Sequence, residues 1–220
     1  MPLEGERRLS RMRSGVAVGS FLLFLAGVSC AQGVAVVEGC SIRRGTFCAN
    51  MNLQGADLSG ANLANSQFSR SVLAGANLKG TNFNEANLRS ADLHQAELSG
   101  ASLSRTNATG ANFSGARLEK ADLRGAILQN ANLSDADLGE ALLGSANLTN
   151  ARLGGARLDG ADLQRANLRS TDLRGATLVG ANLQGADFSR ANLTDADLSG
   201  ATLDQAVFTG AQTAGCIGCP

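Results

Sequence analysis

The sequence has no Trp, no Tyr, one His and two Pro, and only 4% of it is aromatic. A lone His excludes most histidine-based catalysis and most zinc sites, which gather several imidazoles or thiolates. Neither sign of charge is in surplus: Lys plus Arg is 19 and Asp plus Glu is 19. A general nucleic-acid binder needs an excess of cations to neutralise phosphates, so direct nucleic-acid binding is not expected. The 27 glycines in 220 residues are too sparse and irregular for collagen, and the balanced charge does not suit a disordered tail. There is no Gly-rich phosphate loop, no Ser-His-Asp set and no metal-ligand cluster, so neither an enzyme nor a cofactor is expected.

The first thirty or so residues read as an address. Arg7, Arg8, Arg11 and Arg13 precede an apolar run from Val16 to Val28, and Ser29-Cys30-Ala31 follows with small residues. A basic start, a short apolar stretch and a small-residue site form the pattern of a secretory signal, with cleavage expected after Ala31. Spanning a bilayer takes about 20 apolar residues, more than this run supplies. Two variants stay open. Val28-Ser29-Cys30 fits a lipoprotein box, which would anchor the chain to a membrane through Cys30. Arg7-Arg8 fits a twin-arginine signal. The expected location is a periplasm or a comparable lumen.

From Met51 to Gly210 the chain repeats every five residues without insertion or deletion: MNLQG, ADLSG, ANLAN, SQFSR. The third place is Leu throughout, except for Phe68, Phe83, Phe113, Phe188, Phe208 and Ala108. The first place is Ala except for Met51, Ser66, Ser71, Thr81, Thr106 and Thr171, and the second is most often Asn or Asp. A helix would scatter a period of five around all its faces. A short straight segment followed by a turn puts the first and third residues on one side and the second on the other. Gly and small polar residues at the fifth place suit the corner.

This pattern resembles the pentapeptide-repeat family, A-(D/N)-L-X-X, over residues 51–210. The resemblance implies an all-β, right-handed quadrilateral β-helix in which four pentads make one square coil, giving about eight coils. Coils stack at about 4.8 Å, so the rod is expected to be roughly 38 Å long. Residues 1–31 then read as a signal peptide, 32–50 as an amino-terminal cap and 211–220 as a Cys-containing tail. Residues twenty apart should stack: Leu53, Leu73 and Leu93 on one side, Phe188 on Phe208 on another. Ala108 interrupts the ladder between Leu88 and Leu128 and predicts a shallow cavity there.

Cleavage after Ala31 leaves four cysteines in an oxidising compartment. With two at each end of such a rod, a disulfide's reach of about 7 Å predicts Cys40–Cys48 and Cys216–Cys219. GCSIRRGTFCAN resembles a short turn ahead of some arrays of this type. The Cys-x-x-Cys at Cys216–Cys219 also leaves a thiol-exchange reading open.

The second-place aspartates should form solvated outer rows, and His94 should lie among them. Number the sides one to four by the ladders starting at Leu53, Leu58, Leu63 and Phe68. Sides one and two carry eleven acids against six bases; sides three and four carry five acids and seven bases, all arginine. The rod is thus polarised across its width, and Arg165, Arg169 and Arg190 form a candidate contact patch. The leading expectation is an exported, non-enzymatic scaffold or protein-binding rod. The resemblance brings a second: a DNA-mimicking inhibitor such as those that bind gyrase. Thiol redox at Cys216 and Cys219 is a third.

Overall fold

The computed structural model describes residues 28–31 and 34–220. The basic and apolar segment read as an export signal lies outside the described residues as far as residue 27. Within the described residues the chain is a right-handed, four-sided β-helix capped by a small antiparallel sheet.

The cap is a three-stranded sheet of β1 (Val28–Ala31), β2 (Val34–Val37) and β3 (Cys40–Ser41), in that order. Val28 pairs with Val37 and Val37 with Cys40. Val37 and Cys40 are buried, and Ile42 packs against the same core. The sheet therefore shields the amino end of the lumen, where the first coil would otherwise present an open edge. Cys40 is bonded to Cys48, with Cα atoms 5.5 Å apart, which ties the cap to the first coil.

Each coil is fixed to the next by parallel pairing of residues twenty apart, from Phe47–Gln67 to Asp197–Ile217. The second-place N–H donates to the first-place carbonyl of the preceding coil, as Val72 to Met51 at 2.8 Å. The third-place N–H donates forward, as Leu53 to the Val72 carbonyl at 2.7 Å. Within the corner the next Ala closes a turn onto the Leu carbonyl, as Ala56 to Leu53 at 3.1 Å. The fifth-place residue sits at positive φ, the requirement of the third position in a type II turn. Glycine meets that requirement freely at Gly175 (φ +62), yet Arg165 (φ 56) and Arg190 (φ 61) adopt it too.

The ladder runs past the boundaries expected from the sequence. Residues 46–50 and 211–217 are coil rather than cap and tail. Their third places are Cys48 and Thr213, and Gly218 occupies that place in the final pentad. An end coil has a neighbour on one side only, so its interior need not hold Leu. Gly218 (φ +77) is pressed onto the coil below: a Cβ there would lie 2.8 Å from the Leu198 carbonyl oxygen. Cys216 and Cys219, bonded with Cα atoms 5.8 Å apart, close this last pentad on itself.

Inside, the third-place ladders are fully excluded from water along most of the rod. Each buried Leu or Phe contributes roughly 1.5–3 kcal/mol. Phe188 stacks on Phe208 with ring centroids 5.0 Å apart and planes 9° from parallel; Phe68 meets Phe83 edge-on at 5.7 Å. Ala108 keeps register, its N–H reaching the Ile127 carbonyl at 2.8 Å. Hydroxyls that replace Ala inside donate to backbone: Ser71 to the Phe68 carbonyl, Thr81 to Leu58, Thr106 to Phe83 and Thr171 to Leu168, all between 2.6 and 2.8 Å. At the carboxyl end of the described rod Leu203 and Phe208 are only partly buried.

Candidate functional site

The outward rows begin with the second-place Asn and Asp, and these do more than face solvent. Every one of them within the repeats accepts the backbone N–H two residues on, as Asp57 from Ser59 at 3.1 Å, Asn132 from Ser134 at 3.2 Å and Asp197 from Ser199 at 2.9 Å. This Asx turn braces the corner. Many also bond along the rod, as Asn77 Nδ2 to Asp57 Oδ1 at 3.0 Å and Asn132 Nδ2 to Asn112 Oδ1 at 3.2 Å.

These bonds set the carboxylates. Asp57 and Asp197 are held below the ordinary aspartate value by hydrogen bonds from Ser59 and Ser199, side chain first and backbone second. Asp122 and Asp172 are lowered chiefly by hydrogen bonds from Arg124 and Arg174. At Asp187 burial pushes the other way, but bonds from Ser189 and Arg169 outweigh it. A carboxylate stabilised as an anion is poorly suited to deliver or take a proton near neutral pH. His94 lies half exposed beside Asp92, its Nδ1 2.9 Å from Oδ1.

The ionic pattern differs between the halves of the surface. On sides one and two Lys79, Arg117, Lys120, Arg157 and Arg174 each reach a carboxylate, and only Arg152 does not. On sides three and four Arg105, Arg124 and Arg169 are paired, with Glu85, Asp122 and Asp187. Arg70, Arg89, Arg165 and Arg190 have no carboxylate within 4.0 Å among the described residues. The bases of the two acid-rich sides are thus mostly taken up in ion pairs, those sides keep a surplus of acids, and the free cations concentrate on the other two.

The three arginines singled out in the sequence do not form one cluster. Arg169 Nη1 donates to Asp187 Oδ2 at 3.3 Å and is neutralised. Arg165 stands on the corner between sides three and four and lines a groove of about 480 Å³ with Arg105, Arg124 and Ser145. Gly125 and Gly144 form part of its lining. Arg190 stands on the opposite corner of side four, against Gly210. The sequence placed them on neighbouring coils but held no information on which way corner side chains lean. It also passed over Arg105, which stands three coils below Arg165 in the same corner column, and Arg124, one place before that corner on the coil after Arg105.

The terminal Cys-x-x-Cys lies in the last pentad of the solenoid, and no helix follows Cys216. A helix N-terminus is a usual means of lowering a thiol's pKa, and this site has none. Among the described residues no three His, Cys, Asp or Glu side chains converge as a metal site, and no helix is long and apolar enough to cross a membrane.

The family model for pentapeptide repeats matches this chain in eight copies, over residues 52–89, 86–125, 109–144, 126–165, 141–178 and 171–210. Among solved structures the chain is similar to HetL, a pentapeptide repeat protein involved in heterocyst differentiation regulation from the cyanobacterium Nostoc. The two are 33% identical over 80% of this chain and 89% of that one, with a TM-score of 0.42. It is also similar to Rfr23, a pentapeptide repeat protein from the cyanobacterium Cyanothece, at 34% identity over 50% and 63% of the two chains (TM-score 0.33). QnrB1, a plasmid-mediated fluoroquinolone resistance protein, is 20% identical over 76% and 90% (TM-score 0.35). No curated protein matches the chain.

Proposed function

Because the chain belongs to the pentapeptide repeat family, and its charged side chains lie in rows on a closed rod, we propose that it is a non-enzymatic scaffold. On this reading it binds a protein partner through sides three and four, after export to a periplasm or comparable lumen. The observation that carries the reading is the segregation of unpaired arginines. Arg70, Arg89, Arg165 and Arg190 stand free on sides three and four, while five of the six bases on the other sides are ion-paired. An exposed pair contributes little to stability, so the free guanidiniums are the groups with charge left to offer a partner. Arginine also supplies a fork of donors for carboxylates.

The same pattern disfavours a DNA-mimicking inhibitor. A phosphate-like track needs an unbroken row of unneutralised acids, and Glu97, Asp137, Glu140 and Asp172, each held by Lys or Arg, interrupt the row that Asp57, Asp135, Asp195 and Asp197 would otherwise continue. The export expectation from residues 1–31 points the same way, since gyrase is cytosolic.

Affinity capture from the exported fraction, with the parent and an Arg165→Glu, Arg190→Glu variant, tests the reading. A partner retained by the parent and lost by the variant supports it; equal capture refutes the patch. Cell fractionation of the full-length chain tests the location, and a cytosolic protein with an intact amino terminus refutes export.

A further inference from the structure

We propose a second binding site at the amino end of side four, where Phe47, Arg70 and Arg89 receive an acidic peptide segment that carries an apolar side chain. This site rests on the reading above in that it uses two of its four free arginines, but it lies roughly 20 Å from Arg165 and Arg190 at the spacing of stacked coils. Peptide binding here can therefore fail while capture through Arg165 and Arg190 stands.

Phe47 is the most exposed large apolar residue among those described, at 85%. Its direction is imposed rather than accidental. Thr46 and Cys48 on either side are buried, and Cys48 is bonded to Cys40, so strand alternation drives Phe47 outward. Its neighbours in the chain are pinned: Gln67 N–H reaches the Thr46 carbonyl, and Cys48 N–H the Gln67 carbonyl, both at 2.8 Å. An aromatic ring on such a fixed strand loses little freedom on binding.

The row below Phe47 continues through Gln67 to Asn87, which bond each other at 2.9 Å. Beside them lies a hollow of about 300 Å³ lined by Ser69, Arg70, Asn87, Arg89 and Ser90. Arg70 and Arg89 both line it, and neither has a carboxylate partner. Arg70 holds its place at φ 58, a corner conformation that Gly adopts more easily. Two free guanidiniums and a rigid exposed ring within three coils are of the residue types enriched at protein interfaces, and two serine hydroxyls beside them add hydrogen-bonding groups.

Charge selects the occupant. The site has two cations and no anion within ion-pair range, so it accepts carboxylates. An extended segment of about three residues bridges the roughly 10 Å from the ring to the hollow. A nucleic acid fits less well, because the balanced net charge and the acid rows on sides one and two repel a long polyanion.

The test is fluorescence anisotropy with a fluorescein-labelled peptide of sequence EEDLEEDL, and an oligothymidylate in a parallel arm. The full chain should bind the peptide, and added salt should weaken it. Arg70→Gln with Arg89→Gln, and separately Phe47→Ala, should each weaken binding about tenfold. Lys79→Gln with Arg157→Gln, on side two, should leave it unchanged. The substituted side chains lie on the surface, and an unaltered circular dichroism melt confirms that the fold is kept. Equal binding by the parent and the side-four variants overturns the proposal. So does equal loss in the side-two control, no peptide binding by the parent, or binding of the oligonucleotide in place of the peptide.

Discussion

Replacing both Arg165 and Arg190 by Gly should raise the stability of the rod while removing two of its free cations. Both residues occupy left-handed corners, at φ 56 and φ 61. An L-residue in that region costs about 1–2 kcal/mol, because its Cβ crowds the following carbonyl. Glycine avoids the crowding but loses more backbone freedom on folding, which returns about 0.5–1 kcal/mol. The net gain is about 0.5–1 kcal/mol per site. A small part is offset by lost contact, since the Arg165 stem lies 3.5 Å from where a Cβ on Gly185 would stand. For a chain of this length 1 kcal/mol moves the melting temperature by about 2–4 °C, so the double variant should melt roughly 2–8 °C higher. Scanning calorimetry with circular dichroism measures this directly. A lower melting temperature would refute the strain argument and mean that the arginine stems hold adjacent coils together. Partner capture with the same protein then separates the roles, because a variant that is more stable yet binds less has lost a contact and not its fold.

Ala108→Leu should stabilise the protein by about 1–2 kcal/mol if the ladder between Leu88 and Leu128 has room for it; a lower melting temperature would show the lumen already filled beside Phe113. Gly218→Ala should destabilise the carboxyl end, since its Cβ would lie 2.8 Å from the Leu198 carbonyl oxygen; hydrogen exchange at Leu198 and Ile217 should speed up, and unchanged exchange would refute the close approach. The carboxyls of Asp57, Asp122, Asp172, Asp187 and Asp197 are all lowered in the folded state. Their stabilisation is therefore complete above the unfolded aspartate range and is lost as pH falls through the folded values. The melting temperature should be level from about pH 7 to about pH 5 and fall below about pH 4; no fall by about pH 2 would refute the role of these bonds.

The coil was legible because Leu and Ala at fixed places report burial directly, and the stacking of Phe188 on Phe208 followed from a spacing of twenty. The ends were less so. Cys48, Thr213 and Gly218 take places where Leu marks the repeat elsewhere, so the array looked shorter than it is. The small cap sheet was hidden because Val28–Ala31 also reads as the end of an export signal. Second-place Asn and Asp read as solvated rows, since their bonds to the backbone two residues on depend on a corner geometry that composition does not express. The repeat register assigns Arg165, Arg169 and Arg190 to sides three and four, but the ion pair to Asp187 and the groove shared with Arg105 and Arg124 depend on side-chain direction. Phe47 drew no notice because it preceded the apparent start of the repeats.

The two sulfur bridges are unequal fasteners. Cys40–Cys48 stitches the cap to a coil, whereas Cys216–Cys219 spans three residues of a single pentad and makes no covalent link to the coil beneath it. The rod is then a zip with a stop at one end only. Opening of the coils should therefore begin at the Cys216–Cys219 end of the described rod and travel toward the cap one coil at a time.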